Sequence, residues 1–313
     1  MVARALQVAA ELDLFTHLAS GPVHMRELAT RLKVDRRGLE ALLVVCTSLH
    51  LIERTDRGYR TVDSAADLLA ADRPGNLSPL LAGASGLYRD WESLGQGIRN
   101  GGAAGPSQRE KGAEALRAFH MEMHRAAIPV AQTVAGAVDL RAAKLLLDIG
   151  SGVGTFALAF CQRYPALHAM LLDFPDVIAV AQDLLVQSHL AGRIQTVGVD
   201  YHQHPLPAGQ DVILLCNVLH QEDDEHVQQL LRKTRAALHT KGILVVLDAV
   251  LDDDKCGPLS VALGALKQMI HHPGATYYTA AELIRWLKGA GFTQVERKPF
   301  PFPNQALLIA STA

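Results

Sequence analysis

Residues 145–160 read LLLDIGSGVGTFALAF, an apolar run that breaks into glycine at alternate positions, Gly150, Gly152 and Gly154, and then turns apolar again. Glycines this dense allow a tight turn and let a ligand approach backbone N–H groups. The flanks predict a strand ending near Ile149 and a helix opening near Thr155. A carboxylate, Asp148, stands ahead of the first glycine.

The same alternation of apolar strands with helices extends outward from this stretch. Strands are expected at 144–149, 169–174, 194–199, 212–219 and 243–251, with helices near 155–164, 177–190 and 223–239. Strands this apolar are covered on both faces, so the pattern predicts a parallel, doubly wound α/β sheet. Thr279 and Glu282 form a capping box that opens a helix running to about residue 290. The runs FTQVERKPF and NQALLIAST then predict a terminal hairpin that makes one edge strand antiparallel.

The N-terminal part is different. Residues 3–19 carry apolar side chains at helical spacing up to the stop at SGP. A second helix is expected over 24–32 and a third from Asp35 onward, followed by short β segments at 51–54 and 59–61. Three helices and a hairpin make a winged helix. Its third helix, LEALLVVCTSLHLI, is apolar nearly all round and lacks the basic, polar face that a DNA groove requires. The Gly- and Pro-rich residues 95–112 read as the connection, which gives domains 1–104 and 105–313, with 105–140 as a helical linker.

Composition narrows the function classes. The 313 residues are 49% hydrophobic and 20% charged, with 30 basic against 32 acidic side chains. That balance offers no basic field to hold a phosphate backbone, so nucleic acid is not expected as a main partner. The first residues fit neither a signal sequence nor a membrane span, which predicts a cytoplasmic protein without a membrane partner. Cys46, Cys161, Cys216 and Cys256 lie far apart and read as reduced thiols. The pairs His202/His204 and His271/His272 lack a third ligand at known spacing, so no metal is expected.

The strand ends carry the chemistry. Both NAD and S-adenosylmethionine fit a glycine turn of this kind, but dinucleotide sites use GxGxxG whereas this loop reads DxGxGxG. Asp173, followed by Phe174, ends the second strand, where a carboxylate can accept the ribose hydroxyls of an adenosine. Asp200 ends the third, where it can receive the adenine amino group while Tyr201 covers the ring. Three consecutive strand ends thus converge on one adenosine-containing ligand.

With these motifs the chain resembles the class I S-adenosylmethionine-dependent O-methyltransferases that carry an N-terminal winged-helix dimerisation domain. These include plant phenolic, acetylserotonin-type and bacterial natural-product enzymes. The resemblance rests on ELDLFTHLASGPVHMRELATRL, LLLDIGSGVGTFALAF, LLDFPDV, GVDYHQHPLP, NVLHQEDDEHVQQLLRKTRAAL, GILVVLDAVL and YTAAELIRWLKGAGF, and covers nearly the whole chain. It implies a Rossmann-like fold, a homodimer formed through the N-terminal domain, S-adenosylmethionine as cofactor and a small aromatic or polyketide-like acceptor. By resemblance His220 takes the acceptor proton and Asp248 orients it, while Cys216 and Asn217 join the cofactor set of Asp148, Gly150, Gly152, Gly154, Asp173, Phe174, Asp200 and Tyr201.

The acceptor pocket is expected to draw on Trp91, Phe119, Met123, Met269 and Tyr277. Two positions depart from the family. Gln221-Glu222 stands where relatives carry Asp-Trp, and Tyr277 stands where they carry a second acid. Those departures keep open methylation at carbon or nitrogen, and a non-methylating reaction on the same fold. A winged-helix ligand sensor is the third reading.

Overall fold

The structure, a computed structural model, describes residues 2–73, 75–78, 81, 91–102, 110, 112–186, 188–272 and 274–312. It divides into two compact units, Met1–Glu92 and Ser93–Ala313. The expected boundary at 104/105 lies outside the described residues.

In the first unit, α1 (Val2–Glu11), α2 (Leu14–Ala19), α3 (Met25–Leu32) and α4 (Arg36–Ser48) precede a hairpin of β1 (Ile52–Thr55) and β2 (Gly58–Thr61), and α5 (Asp63–Leu69) follows. The single helix expected over 3–19 is broken at Asp13, whose backbone is left-handed (φ 53°). Aspartate tolerates that conformation better than most residues, and the break lets Leu14, Phe15 and Leu18 enter the core beside Ala9. As expected, Asp35 caps α4, accepting from the N–H groups of Arg37 and Gly38.

Helix α4 is less enclosed than its composition suggests. It buries the stripe Leu39, Leu43 and Cys46 but leaves Val44 56% exposed. With α1 it lines a groove of about 640 Å³ whose apolar walls include Val8, Leu12, Leu42 and Val45.

The second unit opens with α6 (Leu94–Asn100), within the stretch read as a connection, and the long α7 (Ala113–Ala137). Five strands then alternate with helices: β3 (Leu145–Ile149), α8 (Thr155–Arg163), β4 (His168–Asp173), α9 (Pro175–Leu185), β5 (Ile194–Gly198), β6 (Gln210–Cys216), α10 (Asp224–Ala237) and β7 (Leu238–Ala249). The chain ends with α11 (Leu259–His271), α12 (Ala280–Gly289), β8 (Gln294–Lys298) and β9 (Gln305–Ser311). Strand order in the sheet is β5-β4-β3-β6-β7-β9-β8.

Strands β3 to β7 are parallel, and in all of them except the edge strand β5 the central residues are largely buried on both faces by two apolar clusters. The hairpin forms as expected, and its edge strand β8 pairs antiparallel with β9. Strand β9 pairs antiparallel with β7 on one side and β8 on the other, which leaves β8 outermost. The sequences explain the choice: QALLIAS is largely buried, whereas QVERK has no fully buried residue and tolerates one open side.

Strand order reverses between β3 and β6, because the chain leaves β3 toward β4 and β5 and then returns to the other side for β6 and β7. In an open parallel sheet, ligands bind in the crevice outside the carboxyl ends at such a switch point.

Candidate active site

The glycine turn sits at that crevice. Gly150, Gly152 and Gly154 have φ of 62°, 55° and 83°, a region that L side chains enter with strain. Space is restricted as well. A Cβ on Gly150 would lie 2.7 Å from Val218, which follows β6, and one on Gly154 would lie 2.5 Å from Leu171 of β4. At Gly152 the nearest atom is Nδ1 of His120, at 3.4 Å. Two of the glycines therefore let the turn pack onto the sheet, and the third faces a histidine of α7.

Asp148 lies beneath this turn. It is 1% exposed and accepts a hydrogen bond from the Ala157 N–H at 3.3 Å. Burial pushes its carboxyl up to about 7. Its position is that of a support for the turn and the start of α8, and not of an open ligand contact.

Asp173 reaches the turn from the neighbouring strand. One of its oxygens accepts from the Gly152 N–H at 2.8 Å and the other from the Phe174 N–H at 2.7 Å. A carboxylate offers about four acceptor positions, so this bracing is compatible with receiving ribose hydroxyls. Asp200, just beyond β5, is held by the His202 N–H (2.9 Å) and Gln203 Nε2 (2.8 Å). Tyr201 is 5% exposed, with its ring 5.6 Å from that of Phe174 and its hydroxyl 3.4 Å from Glu222.

Beyond β6, Cys216 is buried, and Asn217 turns the chain with a φ of 59°. The Asn217 N–H donates to the Leu247 carbonyl at 2.7 Å, which ties the exit of β6 to β7. A short 3₁₀ turn, Leu219–Gln221, then presents His220.

His220 and Asp248 are 6% and 2% exposed, and Nδ1 of the imidazole is 2.6 Å from Oδ1 of the carboxylate. The second carboxylate oxygen accepts the backbone N–H of His220 at 3.2 Å. One acid thus grips both ring and main chain, and the imidazole's other nitrogen, Nε2, is the one left to meet a substrate proton.

Tyr277, whose ring stacks on that of His220 at 4.7 Å and 15°, belongs to the base's surroundings. Burial raises its hydroxyl above the ordinary tyrosine range, with Asp248 adding to the effect. Helix α11 backs this group. It packs on the 3₁₀ turn that carries His220, and the Cε2 of Tyr277 lies where a Cβ on Gly264 would come within 2.9 Å. Met269 is half-buried on the same helix.

The other expected pocket residues differ in exposure. Phe119 is half-buried, with its ring edge-on to His120 at 5.3 Å. Met123 is 44% exposed. Helix α7 turns the stripe containing His120 and His124 inward, and Met123 falls on the flank. Trp91 is half-buried near the end of the first unit.

Two histidines of α7 also adjoin the crevice. Nδ1 of His124 is 2.9 Å from Thr155 Oγ1, at the opening of α8. Burial lowers both His120 and His124 from the ordinary histidine range. Their one-turn spacing on α7 is the signal available in the sequence. Helix α11 is unread there, although LSVALGALKQMIH after Pro258 carries apolar residues at helical spacing. Among the described residues, no group of three or more His, Cys, Asp or Glu gathers to hold a metal ion.

A Rossmann-like sheet, a glycine turn braced by carboxylates and a buried His–Asp pair at the next strand end define a class I methyltransferase. The chain belongs to the O-methyltransferase family: residues 98–293 match the O-methyltransferase domain and residues 1–71 the O-methyltransferase dimerisation domain. It is 30% identical to the 3-hydroxy-5-methyl-1-naphthoate 3-O-methyltransferase of Streptomyces sahachiroi, over 98% of this chain and 90% of that protein. It is also 30% identical to the tetracenomycin polyketide synthesis 8-O-methyl transferase TcmO of Streptomyces glaucescens, over 96% and 91%. The crystal structure of human N-acetylserotonin methyltransferase in complex with SAM superposes with a TM-score of 0.78 at 25% identity, over 99% of this chain and 94% of that one. The protein is an S-adenosylmethionine-dependent methyltransferase.

Proposed function

We propose that this enzyme methylates a hydroxyl group on a small aromatic or polyketide-like metabolite, with His220 as general base and Asp248 as the residue that positions it. The observation that carries this reading is the buried contact of 2.6 Å between His220 Nδ1 and Asp248. A phenol, with a pKa of about 10, is mostly protonated at neutral pH, so a positioned base accelerates its attack. Nε2 of His220 accepts the hydroxyl proton, and Asp248 stabilises the imidazolium that results. S-adenosylmethionine, when bound, supplies an electrophilic methyl group on a sulfonium.

The chain's residues fit that cofactor. Asp173 and Asp200 are acceptors suited to ribose hydroxyls and an adenine amino group, Phe174 and Tyr201 offer apolar surface beside them, and the glycine turn presents backbone without side chains. Asp148, below the turn, supports it. The relatives act on naphthoate and polyketide scaffolds, which favours a fused aromatic acceptor here.

We further infer a homodimer formed through residues 1–104. The match to a dimerisation domain and the apolar groove between α1 and α4 support it. Free thiols at all four cysteines are consistent with the cytoplasm, and no described helix is long and apolar enough to cross a membrane.

The deciding experiment supplies labelled S-adenosylmethionine with a panel of hydroxynaphthoates and anthraquinone phenols to the wild type and to His220→Ala. Transfer to oxygen that falls about a hundredfold or more in the variant, with S-adenosylhomocysteine affinity retained, is the expected result. Equal turnover by the two proteins removes the base assignment.

A further inference from the structure

The turn after β5, DYHQH over 200–204, carries more polar structure than an adenosine contact needs. Lys233 of α10 donates to three of its carbonyls, those of Tyr201 (2.6 Å), His202 (3.0 Å) and His204 (2.7 Å). The turn is thereby fastened to the helix behind it. On its other side, Nε2 of His202 lies 3.0 Å from Glu222 Oε1, in the loop between β6 and α10. Glu222 is in turn fixed through its own carbonyl, which accepts from Tyr278 Oη at 2.7 Å.

The pair is neither an open surface contact nor a fully buried one. The side chains of His202 and Glu222 are 26% and 12% exposed. The His202 ring lies 4.5 Å from that of Tyr201, which itself adjoins Phe174 at the edge of the crevice. Asp200 accepts the His202 backbone N–H, so the place of His202 bears on where the carboxylate stands.

We propose that His202 and Glu222 are positioning residues of the adenine subsite: their pair ties the turn carrying Asp200 to the loop after β6 and sets how tightly the adenosine end of the cofactor is held. This rests on the reading of Asp173 and Asp200 as the adenosine contacts. Two loops already held together lose little freedom when ligand enters, whereas two separate loops must be ordered by it.

The pair is sensitive to pH. Facing His202 are Glu222 from the loop after β6, Asp200 and Tyr201 from its own turn, and Lys233 and His226 from α10, His226 being paired with Asp223. The hydrogen bond to Glu222 raises His202 above the ordinary histidine range; desolvation opposes the rise, Asp200 adds to it and Lys233 opposes it. The charged pair is therefore complete below the raised value and is lost as pH increases through it. Cofactor affinity follows the same direction.

The test is calorimetric titration of the full-length protein with S-adenosylhomocysteine at pH 6.5 and 8.5, on the wild type, Glu222→Gln and His202→Phe. The wild type is expected to bind about threefold to tenfold more weakly at the higher pH. Both variants should bind with the weaker affinity at either pH, and Glu222→Gln, nearly isosteric, separates lost charge from lost shape. A wild-type affinity that does not change with pH, or a variant that keeps the wild-type dependence, overturns the proposal. No binding by the wild type at either pH overturns the cofactor contacts themselves, and the proposal with them.

Discussion

The ring of Tyr277 lies nearly parallel to that of His220, 4.7 Å away with 15° between their planes, at a position for which the family resemblance implies a second acid. A carboxylate would stabilise the protonated base by charge. An aromatic face does so through its quadrupole, by about 0.5–2 kcal/mol depending on desolvation, and blocks one side of the imidazole as well. Tyr277→Phe keeps the ring and should hold kcat within about twofold, whereas Tyr277→Leu keeps only the apolar volume and should lower it about tenfold. Single-turnover transfer from labelled S-adenosylmethionine reads this, with S-adenosylhomocysteine affinity unchanged in both. Equal rates for the Phe and Leu variants would remove the π-face role.

Asp248 makes a stricter case. Asp248→Asn preserves size and can still accept the His220 backbone N–H, but it removes the charge that complements an imidazolium. We expect kcat to fall about a hundredfold while KM for the cofactor stays within about twofold. A loss divided between kcat and cofactor KM would instead indicate that the crevice itself had moved.

Beneath the glycine turn, Asp148 predicts a pH dependence of stability. Burial lifts its carboxyl from 3.8 to about 7. The folded protein therefore keeps a proton that the unfolded chain gives up near pH 4, and stability falls as pH rises from about 4 to about 7. A rise of that size corresponds to about 4 kcal/mol. Asp148→Asn has no proton to lose, so its denaturant midpoint should rise relative to wild type across that window and exceed it at pH 7. Parallel profiles for the two proteins would show that Asp148 is ionised in the fold.

Much of this arrangement is legible in the sequence because strand ends in a parallel sheet converge. Once LLLDIG, LLDFP and GVDY are read as strand exits, Asp173 and Asp200 must approach one crevice, and His220 and Asp248 must meet at the next pair of exits. The covered strand β9 and the open strand β8 are harder, since a hairpin's sequence states its pairing but not which arm faces the sheet; only the contrast of QALLIAS with QVERK bears on it. Apolar spacing marks α7 as amphipathic, yet the inward stripe is the one that places His120 at Gly152 and His124 at Thr155. The His202–Glu222 contact joins residues from two loops and has no periodic signal at all.

The glycines of the turn should fail in different ways when given a side chain. Gly154→Ala would enter a φ of 83° and press its Cβ to 2.5 Å from the packed Leu171, costing about 3 kcal/mol through strain and displaced core. Gly152→Ala meets only the edge of His120, at 3.4 Å, and its φ of 55° lies within the left-handed region at a cost of about 1–2 kcal/mol. The first variant should therefore show a marked loss of Tm. The second should fold with a smaller loss, yet bind S-adenosylhomocysteine at least tenfold more weakly, because the added methyl occupies the side of the turn that faces His120 and not the sheet. Thermal unfolding beside calorimetric titration separates them, and a Gly152→Ala protein with wild-type affinity would place the cofactor away from the middle of the turn.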